Sequence, residues 1–202
     1  MKKIILILLL SYLFPLPIIA NNQNFKLISK INTIQISFEL GEIQLEKEIT
    51  FTKITSLSQG TTSIIGMPKL PSFSSMVMLN PKKEYTARFT VLSSYTIHDV
   101  DIIPNQRLID GLEKKEIEDI DMSFYQSNET YPLNNIILSD PMIMRDLVLS
   151  SLQVIPFIYH PHSKELEVFE NIDIIIEEIG TTSDIRIREI PKSKVFENIY
   201  AQ

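Results

Sequence analysis

The sequence predicts an all-β domain whose antiparallel strands form a β-sandwich or a jelly-roll-like fold. Apolar and polar residues alternate with a period of two along most of the chain, as in strands that bury one face. About ten such segments are separated by turn-forming residues, and helical segments do not alternate with them. The chain has no cysteine, so an apolar core has to stabilise the domain without disulfide bonds.

The first 20 residues have the layout of a secretory signal peptide. Two lysines precede an apolar run from Ile4 to Phe14, and prolines then interrupt it. This run is shorter than the roughly 20 residues that cross a bilayer, which disfavours a transmembrane anchor. Ala20 is the predicted last residue before cleavage. We therefore expect a signal peptide at 1–20, a single domain at 21–202, and a secreted, periplasmic or cell-surface location.

The predicted mature domain is acidic. Residues 1–20 carry two Lys and no acidic residue, so 17 basic and 25 acidic residues remain after them. A negative surface disfavours phosphate backbones and anionic membranes, so we expect neither nucleic acid nor, after signal cleavage, a membrane as partner. A chain of about 180 residues is long enough for one domain with its own core.

The first strands are predicted in the order in which they occur. TIQISFEL, residues 33–40, alternates strictly, and only Gly41 and Glu42 separate it from the next alternating run, so the two runs are predicted to form a hairpin. YTARFTVL, residues 85–92, and YTIHDVDII, residues 95–103, are two more strand-like runs joined at two serines.

The second half of the chain contains two long strand-like runs. LVLSSLQVIPFIY, residues 147–159, and ELEVFENIDIIIEE, residues 165–178, are joined by a predicted turn at 160–164. Near the C-terminus, Ser193 is a suitable N-cap for a short helix. In the middle, DGLEKKEIEDID, residues 110–121, contains eight charged residues in twelve, which predicts a solvated loop or a short surface helix.

A search for catalytic groups finds no complete set. The lack of cysteine excludes a thiol nucleophile and thiolate metal ligands within these 202 residues, and neither a G-x-S-x-G motif nor a glycine-rich phosphate loop is present. His160 and His162 lack a third ligand at a recognisable spacing, which favours a turn with two solvated histidines over a metal site. His98 beside Asp99 is a conceivable acid–base pair, but on a strand edge it is more often a surface residue. We expect no cofactor, no metal and no enzymatic activity of this chain itself.

Five short motifs then follow one another in a recognisable order. They are GMPKLP at 66–71, the strand-like run that ends at Pro104, LSDPMIMRD at 138–146 after YPLN, the run PFIYHPHSKEL at 156–166, and the tail SKVFENIYAQ. Together they resemble the propeptide of gingipain-type secreted cysteine peptidases, over about residues 33–202. The motif residues, which we expect to be structural, are Gly66, Pro68, Leu70, Pro71, Pro104, Asp140, Pro141, Arg145, Asp146, Tyr159, Pro161 and Leu166.

The resemblance implies a propeptide that folds as a β-sandwich, docks on the peptidase domain, assists its folding or export, and blocks its active-site cleft until cleavage. The implied partner is a gingipain-type peptidase domain, in cis within a longer precursor or in trans. In arginine- or lysine-specific members, a basic side chain from the loop after the I-x-P strand enters the primary specificity pocket. Counted from Pro104, that position falls here near Gly111, which is a departure. The nearby candidates are Arg107, Lys114 and Lys115.

Two interpretations from other classes remain open at the level of sequence. The chain can be a free-standing secreted β-sandwich that acts as a binding or adhesion module of the cell surface. It can also be an enzyme of unrecognised type, for which the His98–Asp99 and His160–His162 pairs are the starting points. Lys114 and Lys115 can equally belong to an ordinary solvated loop, since charge runs usually face solvent.

Overall fold

The computed structural model describes residues 24–29, 33–48, 50–58, 60–80, 82–109, 112–113, 117–144 and 147–181. These residues form fourteen β-strands and one short helix. The strands are β1 (Phe25–Ser29), β2 (Ile34–Glu39), β3 (Ile43–Glu48), β4 (Phe51–Ser56), β5 (Gly60–Thr61), β6 (Pro71–Met78), β7 (Lys83–Ile97), β8 (Leu108–Ile109), β9 (Leu112–Glu113), β10 (Ile136–Leu138), β11 (Met142–Met144), β12 (Leu147–Val154), β13 (Phe157–His160) and β14 (Glu165–Thr181). The helix α1 is Met122–Tyr125. All ladders between these strands are antiparallel, so the predicted all-β, antiparallel class is confirmed.

The first sheet is built around β14. On one side, β14 pairs with β7 from Leu166 to Thr181. On its other side, it pairs first with β13 and then with β2, and β1 extends the sheet beyond β2. Alternate side chains of β14 are buried because they face the core, which is the period-two pattern read from the sequence: Leu166, Val168, Ile172, Ile174 and Ile176.

The alternation of buried residues between Leu166 and Ile176 of β14 is interrupted at one place. The register with β7 shifts between Phe169 and Asn171 and again before Ile172. This is a β-bulge, and it places the neighbouring residues Val168 and Phe169 both in buried positions. As a result, the first part of β14 contributes to one apolar cluster and the rest contributes to another.

The second sheet has the order β10-β12-β6-β5, with β11 also paired to β12. Its buried side chains include Phe73 and Val77 of β6 and Leu152 and Val154 of β12. They belong to the same apolar cluster as the buried residues of β2 and the second half of β14. The rings of Phe38 and Phe73 meet edge to face with centroids 5.3 Å apart. The two sheets therefore share one core, which agrees with the sandwich arrangement expected from the sequence.

A second apolar cluster lies under β13 and the start of β14. Its fully buried members include Phe157 and Tyr159 of β13 and Leu166 of β14. Residues from outside the two main sheets complete it: Ile54, Leu70, Val100, Ile102, Phe124, Tyr131 and Ile155. The β3–β4 hairpin, the segments around residues 70 and 102, and helix α1 are all anchored here.

The pairing of the predicted strands is correct in one place and wrong in another. The hairpin around residues 160–164 is confirmed, because β13 pairs with β14. The hairpin expected between residues 33–40 and the following run is wrong: β2 pairs with β1 and β14, whereas β3 pairs with β4. The backbone N–H of Leu40 donates to the carbonyl of Glu170, 2.8 Å away, which keeps the end of β2 against β14.

Two strand boundaries also differ from the sequence prediction. The two runs at 85–92 and 95–103 are one strand, β7, up to Ile97. The run at 147–159 is instead two strands, because Pro156 has no N–H to donate to a ladder. At this break the side-chain amide of Asn135 donates to the carbonyls of Ile155 (2.7 Å) and Phe157 (2.9 Å), and the chain passes from the second sheet to the first.

The charged stretch at 110–121 was predicted to be a solvated loop or a short helix, but it contains the strand β9. This strand pairs with β8, which lies directly before the stretch. The predicted signal peptide, the predicted C-terminal helix after Ser193, and residues 110–111 and 114–116 lie outside the described residues. Within the described part of the chain, no helix is both long and apolar enough to cross a membrane.

Two isoleucines of β14 provide a test of this architecture. Ile174 is fully buried between the sheets, whereas Ile179 on the same strand is 63% exposed. We expect Ile174→Ala to lower the free energy of unfolding by about 2–5 kcal/mol, since it removes buried methyl groups and leaves a cavity. The matched control Ile179→Ala should change it by no more than about 0.5 kcal/mol. Denaturant unfolding of the purified chain measures both, and equal effects would contradict the assignment of the core.

Candidate functional site

The segment from Pro104 to Tyr125, here called the 104–125 loop, contains the three basic residues that the family resemblance makes candidates for a contact with a partner. Both of its ends are fixed to the second apolar cluster. At its start, the N–H of Lys69 donates to the carbonyl of Ile103 (2.8 Å), and Pro68 and Pro104 form an antiparallel bridge. At its end, Phe124 is buried and the hydroxyl of Tyr125 donates to the carbonyl of Ile102 (2.6 Å). The loop therefore leaves and re-enters the domain at neighbouring points.

Gly66 connects the two arms of this loop directly. Its N–H donates to the carbonyl of Asn105 (2.9 Å), and its carbonyl accepts the N–H of Asp121 (3.1 Å). Its φ is +80°, a backbone conformation that favours glycine. A Cβ at this position would lie 3.0 Å from the backbone nitrogen of Asp121. Glycine is required here both by the backbone conformation and by the close approach of the returning arm.

The proline-rich stretch that follows Gly66 keeps its shape without a regular ladder. The hydroxyl of Thr62 donates to the carbonyl of Pro68 (2.7 Å) and accepts the N–H of Leu70 (3.0 Å). The side-chain amide of Asn105 lies 3.3 Å from the same hydroxyl and 3.2 Å from the carbonyl of Met67. Proline has no backbone N–H, so a regular ladder cannot form along this stretch. The side-chain hydrogen bonds of Thr62 and Asn105 satisfy its buried backbone groups instead.

Asp121 ends the returning arm and begins helix α1. Its carboxylate accepts the backbone N–H groups of Ser123 (3.1 Å) and Phe124 (3.2 Å), as an N-cap does. The hydrogen bond from the Ser123 hydroxyl, followed by that from the Phe124 N–H, holds the pKa of Asp121 below its usual value. One turn further on, burial raises the pKa of Tyr125 well above its usual value, so its hydroxyl remains a donor to Ile102.

Further out, the two arms of the loop are held together a second time. The side chain of Asp119 accepts the backbone N–H of Arg107 (3.1 Å), and its other oxygen lies 3.3 Å from Nε of Arg107. Gln106 is buried between the arms and is hydrogen-bonded to both. Beyond this point β8 and β9 form a two-residue ladder. The described residues of the 104–125 loop thus form a closed stem that continues into the β8–β9 ladder.

The three candidate basic residues occupy this hairpin in different ways. Arg107 lies at the stem, where its side chain is 74% exposed but is paired with Asp119. Lys114 and Lys115 lie outside the described residues, as does Gly111, the position at which the family pattern would place a basic residue. Among the described residues of the loop, Arg107 is the basic one, and it is followed by the exposed Leu108.

Most of the other motif residues are placed in the interior. Leu70, Tyr159 and Leu166 are fully buried in the second cluster, and burial raises the pKa of Tyr159 well above its usual value. Pro71 is the first residue of β6, and Pro161 is buried in the turn between β13 and β14. Asp140 and Pro141 are exposed between β10 and β11, and Arg145 and Asp146 lie outside the described residues.

His160 is the last residue of β13 and His162 is exposed in the turn that follows, whereas His98 lies directly after β7. Nδ1 of His98 lies 2.9 Å from a carboxylate oxygen of Glu165, and the histidine side chain is 66% exposed. The hydroxyl of Ser163 and then His98 lower the pKa of Glu165, and the contact between His98 and Glu165 lies exposed at the end of the β13–β14 hairpin. Within the part of the chain that the structure describes, no three His, Asp or Glu side chains are grouped so that they could hold a metal ion.

Comparison with protein-family models gives one match that covers most of the chain. Residues 20–195 match the model described as Propeptide_C25. The chain belongs to this family. The resemblance to the propeptide of gingipain-type cysteine peptidases is confirmed by curated relatives as well. Gingipain R2 of Porphyromonas gingivalis is 25% identical over 182 residues, which are 86% of this chain. Gingipain R1 of the same organism is 27% identical over 158 residues, or 75% of this chain.

The matched region is a small part of these relatives, 24% of gingipain R2 and 15% of gingipain R1. Solved structures show the same fold. A complex of the Porphyromonas gingivalis RgpB pro- and mature domains matches with a TM-score of 0.70 and 24% identity, over 89% of this chain and 96% of the matched chain. A structure on the zymogenic latency of gingipain K matches with a TM-score of 0.63 and 16% identity, over 75% of this chain and 89% of that one.

The geometry at Gly66 leads to a prediction about the base of the loop. We expect Gly66→Ala to destabilise the chain by about 1–3 kcal/mol, because alanine disfavours the positive φ and its Cβ would press on the backbone of Asp121. Hydrogen exchange at the Asp121 amide should become faster at the same time. The control is Gly41→Ala, where the nearest heavy atom to the added methyl group would be 4.0 Å away. Thermal unfolding and amide exchange measure both variants, and equal stability of the two would refute a special role for Gly66.

Proposed function

We propose that this chain is an exported propeptide domain that docks on a gingipain-type cysteine peptidase domain, assists its folding, and keeps it inactive by covering its active-site cleft. The observation that carries the proposal is the family match over residues 20–195. The solved complex of RgpB pro- and mature domains, whose matched chain shares this fold, supports a peptidase domain as partner. The peptidase is bound in cis within a longer precursor or in trans.

The 104–125 loop is the proposed point of contact with the cleft. Its two arms are fixed to the domain by backbone hydrogen bonds at Gly66, and β8 pairs with β9 further along the loop. We assign to it a basic side chain, Arg107, Lys114 or Lys115, that enters the primary specificity pocket without being cleaved productively. An arginine or lysine paired with a carboxylate in an enclosed pocket makes a strong, charge-assisted contact.

Inhibition by the purified chain tests this function. The signal-free chain, residues 21–202, should inhibit a gingipain-type peptidase encoded in the same genome at micromolar concentration or below. In this assay, Ala substitution at one of Arg107, Lys114 and Lys115 should raise the inhibition constant by about 30-fold or more, as truncation of an interface hot spot does. The control Lys82→Ala, at an exposed residue before β7, should leave it unchanged.

Two outcomes contradict different parts of the proposal. If the chain neither binds nor inhibits any gingipain-type peptidase of that genome, the proposed function is wrong. If it inhibits but all three Ala variants inhibit as well as the original chain does, the assignment of a basic pocket residue is wrong while the docking role stands.

We also propose that residues 1–20 are a signal peptide, so that the domain acts in a secreted, periplasmic or cell-surface location. The two lysines, the apolar run and the small residue Ala20 support this. After expression with export, the intact mass of the chain should correspond to residues 21–202. A mass that retains residues 1–20 in the exported fraction would show that no cleavage occurs at Ala20.

A further inference from the structure

Gln106 has a polar side chain that is buried where the two arms of the 104–125 loop come together. Its Nε2 donates to the carbonyl of Asp119 (2.8 Å) on the returning arm and to that of Pro104 (3.2 Å) on its own arm. Its Oε1 accepts the N–H groups of Glu118 (2.9 Å) and Asp119 (3.0 Å). One side-chain amide therefore makes three hydrogen bonds across the stem of the loop and one within its own arm.

This arrangement uses the full hydrogen-bonding capacity of a primary amide. The amide has two N–H donors and an oxygen with two lone pairs, and here every one is paired with a backbone group. The backbone groups are polar and lie next to a buried side chain, so losing the amide would leave them without these partners. Neither leucine nor glutamate can replace it, because leucine has no polar atom and a carboxylate has no N–H to donate.

The Gln106 contacts are separate from those that hold the domain together. All four hydrogen bonds of the Gln106 side chain are made to backbone atoms of the loop itself, at residues 104, 118 and 119. The base of the loop is already joined by Gly66, which bonds to Asn105 on one arm and Asp121 on the other. Gln106 and the Asp119–Arg107 pair lie one step further out, between this base and the β8–β9 ladder. Loss of Gln106 should therefore loosen the stem without unfolding the domain.

We propose that Gln106 is a positioning residue: by clamping the stem, it fixes the two arms of the 104–125 loop relative to each other before the partner binds. This inference rests on the proposed function, because the clamp matters for inhibition only if the loop is the inhibitory contact. A preformed loop binds more tightly than one that has to be ordered on binding, since the ordering cost is already met in the free chain. The residue acts through the loop and does not itself touch the peptidase.

The test compares Gln106→Leu with Gln44→Leu, a matched control at an exposed residue of β3. For Gln106→Leu we expect an inhibition constant at least about tenfold higher. Amide exchange at Glu118 and Asp119 should become faster, while the amides of Gly66 and Asp121 keep their protection. Gln44→Leu should change neither quantity. If Gln106→Leu does not fold, Gln106→Glu serves instead, because it keeps the shape and the acceptor but loses both donors.

The outcomes separate this inference from the function on which it rests. If the original chain does not inhibit any gingipain-type peptidase, the proposed function fails and the inference fails with it. If the original chain inhibits and the Gln106 variant inhibits equally well, only the positioning role is overturned. The same holds if inhibition falls but the protection of Gly66 and Asp121 falls with it, since the residue would then be supporting the base of the fold.

Discussion

The structure depends on the ladder between β14 and β7. β14 is paired along its whole length from Leu166 onward with one partner, and on its other edge it holds β13 and then β2. Because of the bulge after Phe169, side chains of this one strand pack in both apolar clusters. Because the chain has no cysteine, this continuous ladder, and not a covalent link, connects the sheet-to-sheet core with the cluster that supports the loop.

The second apolar cluster holds the candidate site in place. Leu166 and Tyr159 of the β13–β14 hairpin pack in it together with Leu70 and Ile102. Leu70 fixes the proline-rich segment, whose Gly66 joins the two arms of the 104–125 loop, and Ile102 precedes the outgoing arm. The loop is therefore positioned by a short chain of contacts that begins in the most buried part of the domain, although the loop itself is polar and exposed at Arg107 and Leu108.

The sequence allowed the buried faces to be predicted better than the partners of the strands. The alternation from Leu166 to Ile176 identified residues that are in fact buried, because burial of one strand face is a local property of the sequence. The pairing of β2 with β14 was missed, since the short Gly41–Glu42 link suggested a local hairpin and nothing in the period-two pattern specifies a distant partner. Gln106 was not predicted for another reason. A single amide side chain in a polar stretch is typical of an ordinary loop, and its hydrogen bonds across the stem are made to backbone atoms twelve or more residues away.

The way in which the stem is closed also bears on which basic residue is the proposed pocket residue. Most of the stem contacts are made to backbone atoms, and the side chains of Gln106, Asp119 and Arg107 take part in them. Arg107 is one of these side chains, so its entry into a pocket would break the contact between its Nε and Asp119, whereas its backbone N–H could still donate to Asp119. The backbone contacts of the stem thus fix where its two arms lie, whichever basic residue is the proposed pocket residue.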